Sequence, residues 1–405
     1  MAAPKTAYVL LWFPKASETF IFREVINLMN LGLNLKVYSL YGRLAQGCSQ
    51  EMLAFRPHVE RLGRPFIKKM PGAIGYWRRR DPGRVNYVFK TLARIHWRGL
   101  EKTGENLWAI PCGFHLARRF EADGIEHIHA PWANGPATAA WVASMLTDIP
   151  FSFTARAWDI YPQDGCLAAK IKACRFVRTN TRTNARYLNR FTQGRTDKIV
   201  MIYNGLTLTD CQEAPVAMKP PFRLLSVGRF VSIKGFDVLI RAAVALKREG
   251  LDFRVTLAGE GPWEPYLKAL TRSLGLEARV AFPGFIPHDR IPDLMRQADV
   301  LAAPSVLARS GDRDGIPNVI LEALAHRLPV VASDVSGIGE VIRHEYSGLL
   351  VPPRRPEALA LAIGRMFRDR SAALRLAEAG QTLVRREFDP LRNTKRLMDL
   401  FRDAV

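Results

Sequence analysis

Short apolar runs alternate along the chain with longer stretches in which apolar positions recur every three or four residues, and they do so in two successive series. The first series of runs covers 6–12, 35–40, 125–129, 151–154, 175–179 and 199–203; the second covers 222–227, 253–258, 279–282, 300–303, 330–332 and 348–351. Apolar runs of this length, bounded by turn residues, predict strands buried on both faces. The stretches between them predict helices, among them 17–31 and 133–146, then 236–249, 263–274, 317–325 and 358–367. Strand and helix alternating in this way, twice over, predict an α/β protein of two Rossmann-like, doubly wound parallel sheets facing a central cleft.

The apolar periodicity lapses between the two series. Residues 208–221 are polar and carry Pro215, Pro220 and Pro221, which marks a linker. The expected organisation is therefore a first domain over 1–207, the linker over 208–221, a second domain over 222–385, and a final helix over 386–405 that crosses back to the first domain. A length of 405 residues agrees, because one core of ordinary size does not use so long a chain.

Composition narrows the class. With 48% apolar and 24% charged residues the chain is that of a folded protein, and no run approaches the roughly 20 apolar residues of a membrane span. The segment 1–12 lacks the basic start of a signal peptide, and the five cysteines have no metal-ligand spacing, so a cytoplasmic location is expected. The formal net charge is +21, and the first 210 residues hold 30 basic against 15 acidic side chains. The excess is densest over 64–102, where eleven Lys and Arg meet only Asp81 and Glu101 and are interleaved with Phe66, Tyr76, Trp77, Tyr87, Phe89 and Trp97. Basic and aromatic residues together suit a surface that settles on an anionic membrane, here the inner face of the cytoplasmic membrane; a solvated helical face is the alternative. Nucleic acid is not an expected partner.

The second series carries the clearer chemistry. A nucleoside diphosphate sugar needs cations or helix N-termini for its phosphates and a hydroxyl acceptor for its ribose. After the run 222–227 come Gly228 and Arg229, then Lys234 and Gly235 opening a helix. Arg229 and Lys234 can meet one anion at the strand's carboxyl edge. Gly259-Glu260-Gly261-Pro262 and Gly284-Phe285 follow two further strands. In the stretch from Asp314 to Ala325, Pro317 is expected at the first helical position, leaving the amides of Asn318, Val319 and Ile320 to face a diphosphate. Glu322 then sits where it can accept from ribose hydroxyls, and Asp314 where the sugar would project. Asp312-Arg313-Asp314 has the form of an Asp-x-Asp metal motif, but its flanking arginine and its place ahead of Pro317 argue against a metal role.

These residues carry a resemblance. Val227-Gly228-Arg229 followed by Lys234-Gly235, the Gly259-Glu260-Gly261-Pro262 turn, and the acidic pair Asp314 and Glu322 resemble the retaining family 4 glycosyltransferases, which have the GT-B fold. The family pattern has Glu where Asp314 stands. The resemblance implies Arg229 and Lys234 on the donor diphosphate, Glu322 on the ribose, Asp314 on the transferred sugar, retention of anomeric configuration, and no bound metal or other cofactor. In the first half, the segments holding Ser17, Glu18, His127, His129, Arg156, Trp158 and Asp159 resemble the branch that assembles exopolysaccharide or colanic-acid-like repeat units.

Ser17 is expected to cap a helix beside Glu18, and Trp158 and Asp159 suit sugar stacking and hydroxyl binding, with a simple packing role as the alternative. His129 either lines the cleft or is a structural strand histidine. Arg156 stands where that branch has His, so it can stabilise an anion but cannot exchange a proton at neutral pH. The sequence thus predicts transfer of a hexose from a nucleotide sugar to a saccharide acceptor, expected to be lipid-linked. A silent sugar-nucleotide binding protein on the same fold is the alternative.

Overall fold

The computed structural model describes residues 3–42, 47–161, 164–206, 219–308 and 311–404. It divides into two compact units, one of Met1–Gly205 with Pro390–Val405 and one of Leu206–Asp389. The expected linker falls mostly on 207–218, outside the described residues.

The first unit holds seven strands: β1 (Thr6–Leu10), β2 (Leu35–Ser39), β3 (Val59–Arg61), β4 (His127–Ala130), β5 (Phe151–Ala155), β6 (Val177–Thr179) and β7 (Ile199–Met201). They form one parallel sheet in the order β3-β2-β1-β4-β5-β6-β7. β1, β4 and β5 are buried along their whole length, as strands covered by helices on both faces must be. β3 has no counterpart among the expected strands. It is three residues long and follows Pro57, so it leaves no periodic trace.

Helices Leu100–Ala122 and Gly135–Thr147 lie together over this sheet. Their approach is set by Gly113, where a Cβ would stand 2.8 Å from the Ala139 carbonyl oxygen and 2.7 Å from the Val142 Cβ. On the other face, helices Thr19–Asn30 and Pro390–Arg402 pack against each other. Arg178 of β6 is buried there. It donates to Glu24 Oε2 at 2.7 Å and to the Ile202 and Tyr203 carbonyls, while Tyr8 donates to Glu24 Oε1 at 3.0 Å. One carboxylate thereby ties β1, β6 and a helix.

The basic and aromatic stretch forms helices Met70–Arg80 and Pro82–Ala93 and the start of Leu100–Ala122. Its aromatic side chains divide. Phe66 and Trp77 are core residues, and the Trp77 indole donates to the Phe114 carbonyl at 2.9 Å. Ile67, Tyr87 and Phe89 remain exposed. Arg80 pairs with Glu121, and Arg84 with Asp148. No helix among the described residues is long and apolar enough to cross a membrane.

The second unit holds β8 (Phe222–Val227), β9 (Phe253–Ala258), β10 (Val280–Gly284), β11 (Val300–Ala303), β12 (Val330–Ser333) and β13 (Leu349–Val351). These also form one parallel sheet, ordered β10-β9-β8-β11-β12-β13. Helix Phe236–Arg248 returns β8 toward β9, and its apolar stripe of Val238, Leu239, Ala242, Ala243 and Leu246 is buried.

The first core contains a titratable pair that bears on stability. His127 and His129 point to one face from β4 and share the Ser152 hydroxyl, each with a ring nitrogen 2.7 Å from it. Phe176 stacks over both rings, and Phe401 closes on them from helix Pro390–Arg402. Burial drives the His127 pKa down to about 3 and holds His129 well below its usual value, so both are neutral in the folded chain at neutral pH. The unfolded chain takes up these protons near pH ~6.5. Below that point the unfolded state binds more protons, so this contribution is intact above pH ~6.5 and is lost as the pH falls toward 3, by at most about 1.4 kcal/mol per pH unit per histidine. Chemical denaturation between about pH 7.5 and pH 4.5 should show His127→Gln losing less stability on acidification than the parent; equal slopes would remove His127 from the acid response.

Candidate functional site

The second sheet changes its direction of growth once. β8 pairs with β9 on one side and β11 on the other, so the connections leave toward opposite edges and open a crevice beyond the carboxyl ends of β8 and β11. Loops from three strands meet there. The Gly228 amide donates to the Ala258 carbonyl at 3.0 Å and the Gly259 amide to the Gly284 carbonyl at 2.9 Å. Phe230 is buried against Phe236 and Phe282, which anchors the loop and leaves its neighbour Arg229 exposed.

Gly235 sets the next contact. It has φ +64°, and a Cβ there would stand 2.0 Å from the Pro304 carbonyl oxygen, so only glycine lets the loop after β8 press against the loop after β11. That approach brings Lys234 onto Asp314, with Nζ 3.0 Å from Oδ1. The buried Ser305 hydroxyl donates to Asp314 Oδ2 at 3.0 Å. Two residues 80 positions apart in sequence thus form one clamped ion pair at the crevice. An ammonium has three donors, so Lys234, 3.0 Å from each Asp314 oxygen, keeps at least one for another ligand while it holds Asp314.

Pro317 occupies the cap position of helix Asn318–Ala325, one residue before the first helical position expected for it. The Ile320 amide also differs from expectation, since it donates to the Pro317 carbonyl at 3.0 Å in a tightened first turn. Asn318 and Val319 keep first-turn amides that have no acceptor within the helix. Glu322 lies further along, partly buried, with Oε1 3.4 Å from His288 Nε2. Ser305 and His288 belong to this constellation, yet neither carries a motif that marks it in the sequence.

The first sheet repeats the arrangement. β1 pairs with β2 on one side and β4 on the other, and a pocket of about 400 Å³ lies among the residues that follow β1 and β4. Trp12, Tyr41, Trp132 and Trp158 supply aromatic walls; Lys15, Glu18, Glu101, Glu105 and Asn134 supply polar groups. Trp12 stacks on Tyr41 with ring centres 4.6 Å apart, and the Trp132 indole donates to Glu18 Oε2 at 3.2 Å. Lys15 pairs with Glu18 at 2.7 Å.

The residues expected on the acceptor side separate on this geometry. Glu18 and Trp158 line the pocket. Lys102 Nζ stands 3.9 Å over the Trp158 ring. Ser17 lies inside the 3-10 turn Ala16–Glu18, and the helix beginning at Thr19 takes Glu18 as its cap, so the capping position expected for Ser17 is corrected. His129 is fully buried, with its ring nitrogens on Ser152 and Thr154, and does not line the pocket.

Asp159 is also buried, and its carboxylate accepts from the Arg156 amide and, at 2.6 Å, from the Ala133 amide. Its oxygens hold the backbone, so the expected sugar-hydroxyl role is corrected to a positioning one. Burial raises its pKa to about 6 against the lowering effect of those two amides. Arg156 is enclosed as well, its guanidinium about 5 Å from the rings of both Phe20 and Trp132 and donating to the Pro131 carbonyl. Burial lowers its pKa to about 10, so it remains a cation at neutral pH.

With this geometry established, comparison with known proteins adds the following. Residues 212–383 match the family model described as glycosyl transferases group 1. The colanic acid biosynthesis glycosyltransferase WcaL of Escherichia coli K12, so named putatively, is 39% identical over 165 residues, 40% of this chain and 41% of that protein. The amylovoran biosynthesis glycosyltransferase AmsK of Erwinia amylovora is 38% identical over 173 residues, 43% of this chain and 42% of that protein. The chain thus matches about two fifths of the length of these relatives.

Among solved structures, a glycosyltransferase from Rickettsia africae superposes with TM-score 0.72 at 16% identity, covering 99% of this chain and 98% of that one. HepE of Anabaena, in complex with UDP-glucose, superposes with TM-score 0.70 at 17% identity, covering 98% and 99%. The fold is that of the GT-B glycosyltransferases, and its second unit matches the glycosyl transferases group 1 model.

Proposed function

We propose that the protein is a glycosyltransferase that moves a hexose from a nucleoside diphosphate sugar to a saccharide acceptor, with retention of configuration, in the assembly of a cell-surface polysaccharide. The observation that carries this reading is the Lys234–Asp314–Ser305 clamp at the switch point of the unit that matches the group 1 model, with exposed Arg229 beside it. Arg229, the remaining donor capacity of Lys234 and the first-turn amides of Asn318 and Val319 meet the donor diphosphate, the departing anion of the reaction. Glu322 accepts from the ribose, and Asp314, fixed by its two partners, meets the transferred sugar. These cations and amides meet the charge of the leaving group, so the reading calls for no bound metal or other cofactor. The complex of HepE with UDP-glucose supports a UDP-sugar as the donor class, and the names of WcaL and AmsK support exopolysaccharide assembly.

The acceptor is proposed to be lipid-linked and the protein to work at the cytoplasmic face of the membrane. The support is the basic segment over 64–102 with Ile67, Tyr87 and Phe89 exposed on it. Flotation with vesicles containing about one third anionic lipid should carry the protein upward at low salt and release it at high salt. Failure to float removes the membrane from the proposal.

Thermal shifts against UDP, GDP, ADP and CMP, with and without EDTA, test the donor site. One nucleoside diphosphate should raise the melting temperature by several degrees whether or not EDTA is present. Arg229→Ala and Lys234→Ala should each lower kcat/KM by about one to two orders of magnitude or more, given about 1.5 to 3 kcal/mol for a charge-assisted hydrogen bond. Their circular dichroism should stay that of the parent. Near-normal rates in both would end the assignment of the phosphate site. Glu322→Ala should chiefly weaken donor affinity, and unchanged affinity would take Glu322 off the ribose. Nucleotide binding without release of nucleoside diphosphate, across a panel of acceptors, would favour the silent binding protein.

A further inference from the structure

The loop after β4 is fastened on every side except one. The Ala133 amide donates to Asp159 at 2.6 Å, and the Gly135 amide to Glu105 at 2.6 Å. The Ala133 and Asn134 carbonyls accept from the buried Lys170 ammonium, which also pairs with Asp164 at 2.8 Å. Between these anchors stands Asn134, 1% exposed and lining the pocket, and among the described residues neither its Oδ1 nor its Nδ2 has a hydrogen-bond partner. A buried amide with both ends unpaired is rare in a folded protein and costs stability until something pairs with it. Here the backbone on either side is held rigidly, so the side chain cannot turn away to find water without disturbing the loop.

The rest of the pocket indicates what that something is. Its aromatic walls offer flat apolar faces of the kind that cover the C–H face of a sugar ring, and its volume of about 400 Å³ is within the range of small-molecule sites. An amide presents a donor and an acceptor together, which matches vicinal hydroxyls. The charge is the discriminating feature. Glu18, Glu101 and Glu105 line the pocket with Lys15, which is already paired with Glu18, and Lys102 stands over the Trp158 ring in its wall. A chain of net charge +21 has therefore placed an excess of carboxylates around this opening. Glu105 is engaged, accepting from the Gly135 amide with Lys102 and Lys170 near it, so a carboxylate or phosphate on the ligand would meet the like charge of exposed Glu101 at the rim.

We infer that this pocket binds a sugar residue without negative charge, a neutral or amino pyranose of the acceptor, that Asn134 hydrogen-bonds its hydroxyls, and that Glu101 disfavours uronic acids. The inference rests on the glycosyltransferase reading for the word acceptor, but the binding event does not depend on catalysis.

The test uses the full-length protein and the fluorescence of Trp12, Trp132 and Trp158, with the methyl glycosides of glucose, galactose, mannose, glucosamine and N-acetylglucosamine set against those of glucuronic and galacturonic acid. At least one neutral or amino glycoside should give a saturable change, and the uronic acid of matching configuration should bind at least about tenfold more weakly. Asn134→Ala should lose about tenfold or more in affinity for the favoured glycoside, as should Trp158→Ala at the exposed rim, and Glu101→Gln should narrow the gap to the uronic acid. A uronic acid that binds as well as its neutral counterpart, full affinity in both Asn134→Ala and Trp158→Ala, or no saturable change with any neutral or amino glycoside overturns the inference. Nucleoside diphosphate binding, followed in parallel, reports on the second unit. Its failure alone counts against the donor proposal, and loss of glycoside binding alone counts against this one.

Discussion

Both units depend on a single feature of parallel sheets. A doubly wound sheet must begin somewhere in its middle, and where it begins the connections part and leave the strand ends uncovered. In the first unit that place lies between β1 and β4, in the second between β8 and β11. Everything with chemical character gathers at these two places. Trp12, Lys15 and Glu18 follow β1, and Trp132 and Asn134 follow β4; Arg229 and Lys234 follow β8, and Ser305 and Asp314 follow β11. The strands themselves are apolar over most of their length, and polar exceptions inside the first sheet, such as His127 and His129, hydrogen-bond to Ser152 between them.

The two crevices hold their polar groups in opposite ways. In the second, the charged side chains are matched before any ligand arrives: Lys234 neutralises Asp314, and Ser305 fixes the carboxylate from its other side. Such a pair is stable when empty and still has a donor to give. In the first, the backbone is matched and a side chain is left over. Asp159, Glu105 and Lys170 all serve the loop after β4, so the cost of the unpaired Asn134 amide is carried by its neighbours. Asp159 and Arg156 are residues whose sequence context suggests contact with a sugar. Their burial shows instead how the surroundings of the pocket are built.

The fold was legible because each strand of the second sheet is a bounded apolar run; Phe222–Val227, Phe253–Ala258 and Val300–Ala303 stand where that pattern places them. β3 was not, because three residues cannot establish a period. In the second unit, glycines and cations occur in one short segment, so Gly228, Arg229, Lys234 and Gly235 mark themselves. Ser305 and His288 do not, since a lone serine or histidine has no spacing to betray it. The pocket of the first unit was the least legible part. Glu105 reaches it from the second turn of a long helix, and Trp12 and Tyr41 look like ordinary strand-end aromatics until the topology puts them side by side.

Asp314 shows how a departure from a family pattern can be absorbed. A side chain shorter by one methylene cannot reach as far as Glu. It also has one fewer rotatable bond to restrain, and two partners suffice to fix both of its oxygens. The contact that fixes it is possible only because Gly235 has no side chain to strike the Pro304 carbonyl. The shorter acid and the left-handed glycine are thus parts of one arrangement. Lengthening the acid while keeping the glycine would push a carboxylate past Lys234, and enlarging the glycine while keeping the acid would separate the pair. The position of the charge in this crevice is therefore set jointly by the backbone after β8 and by the length of the acidic side chain.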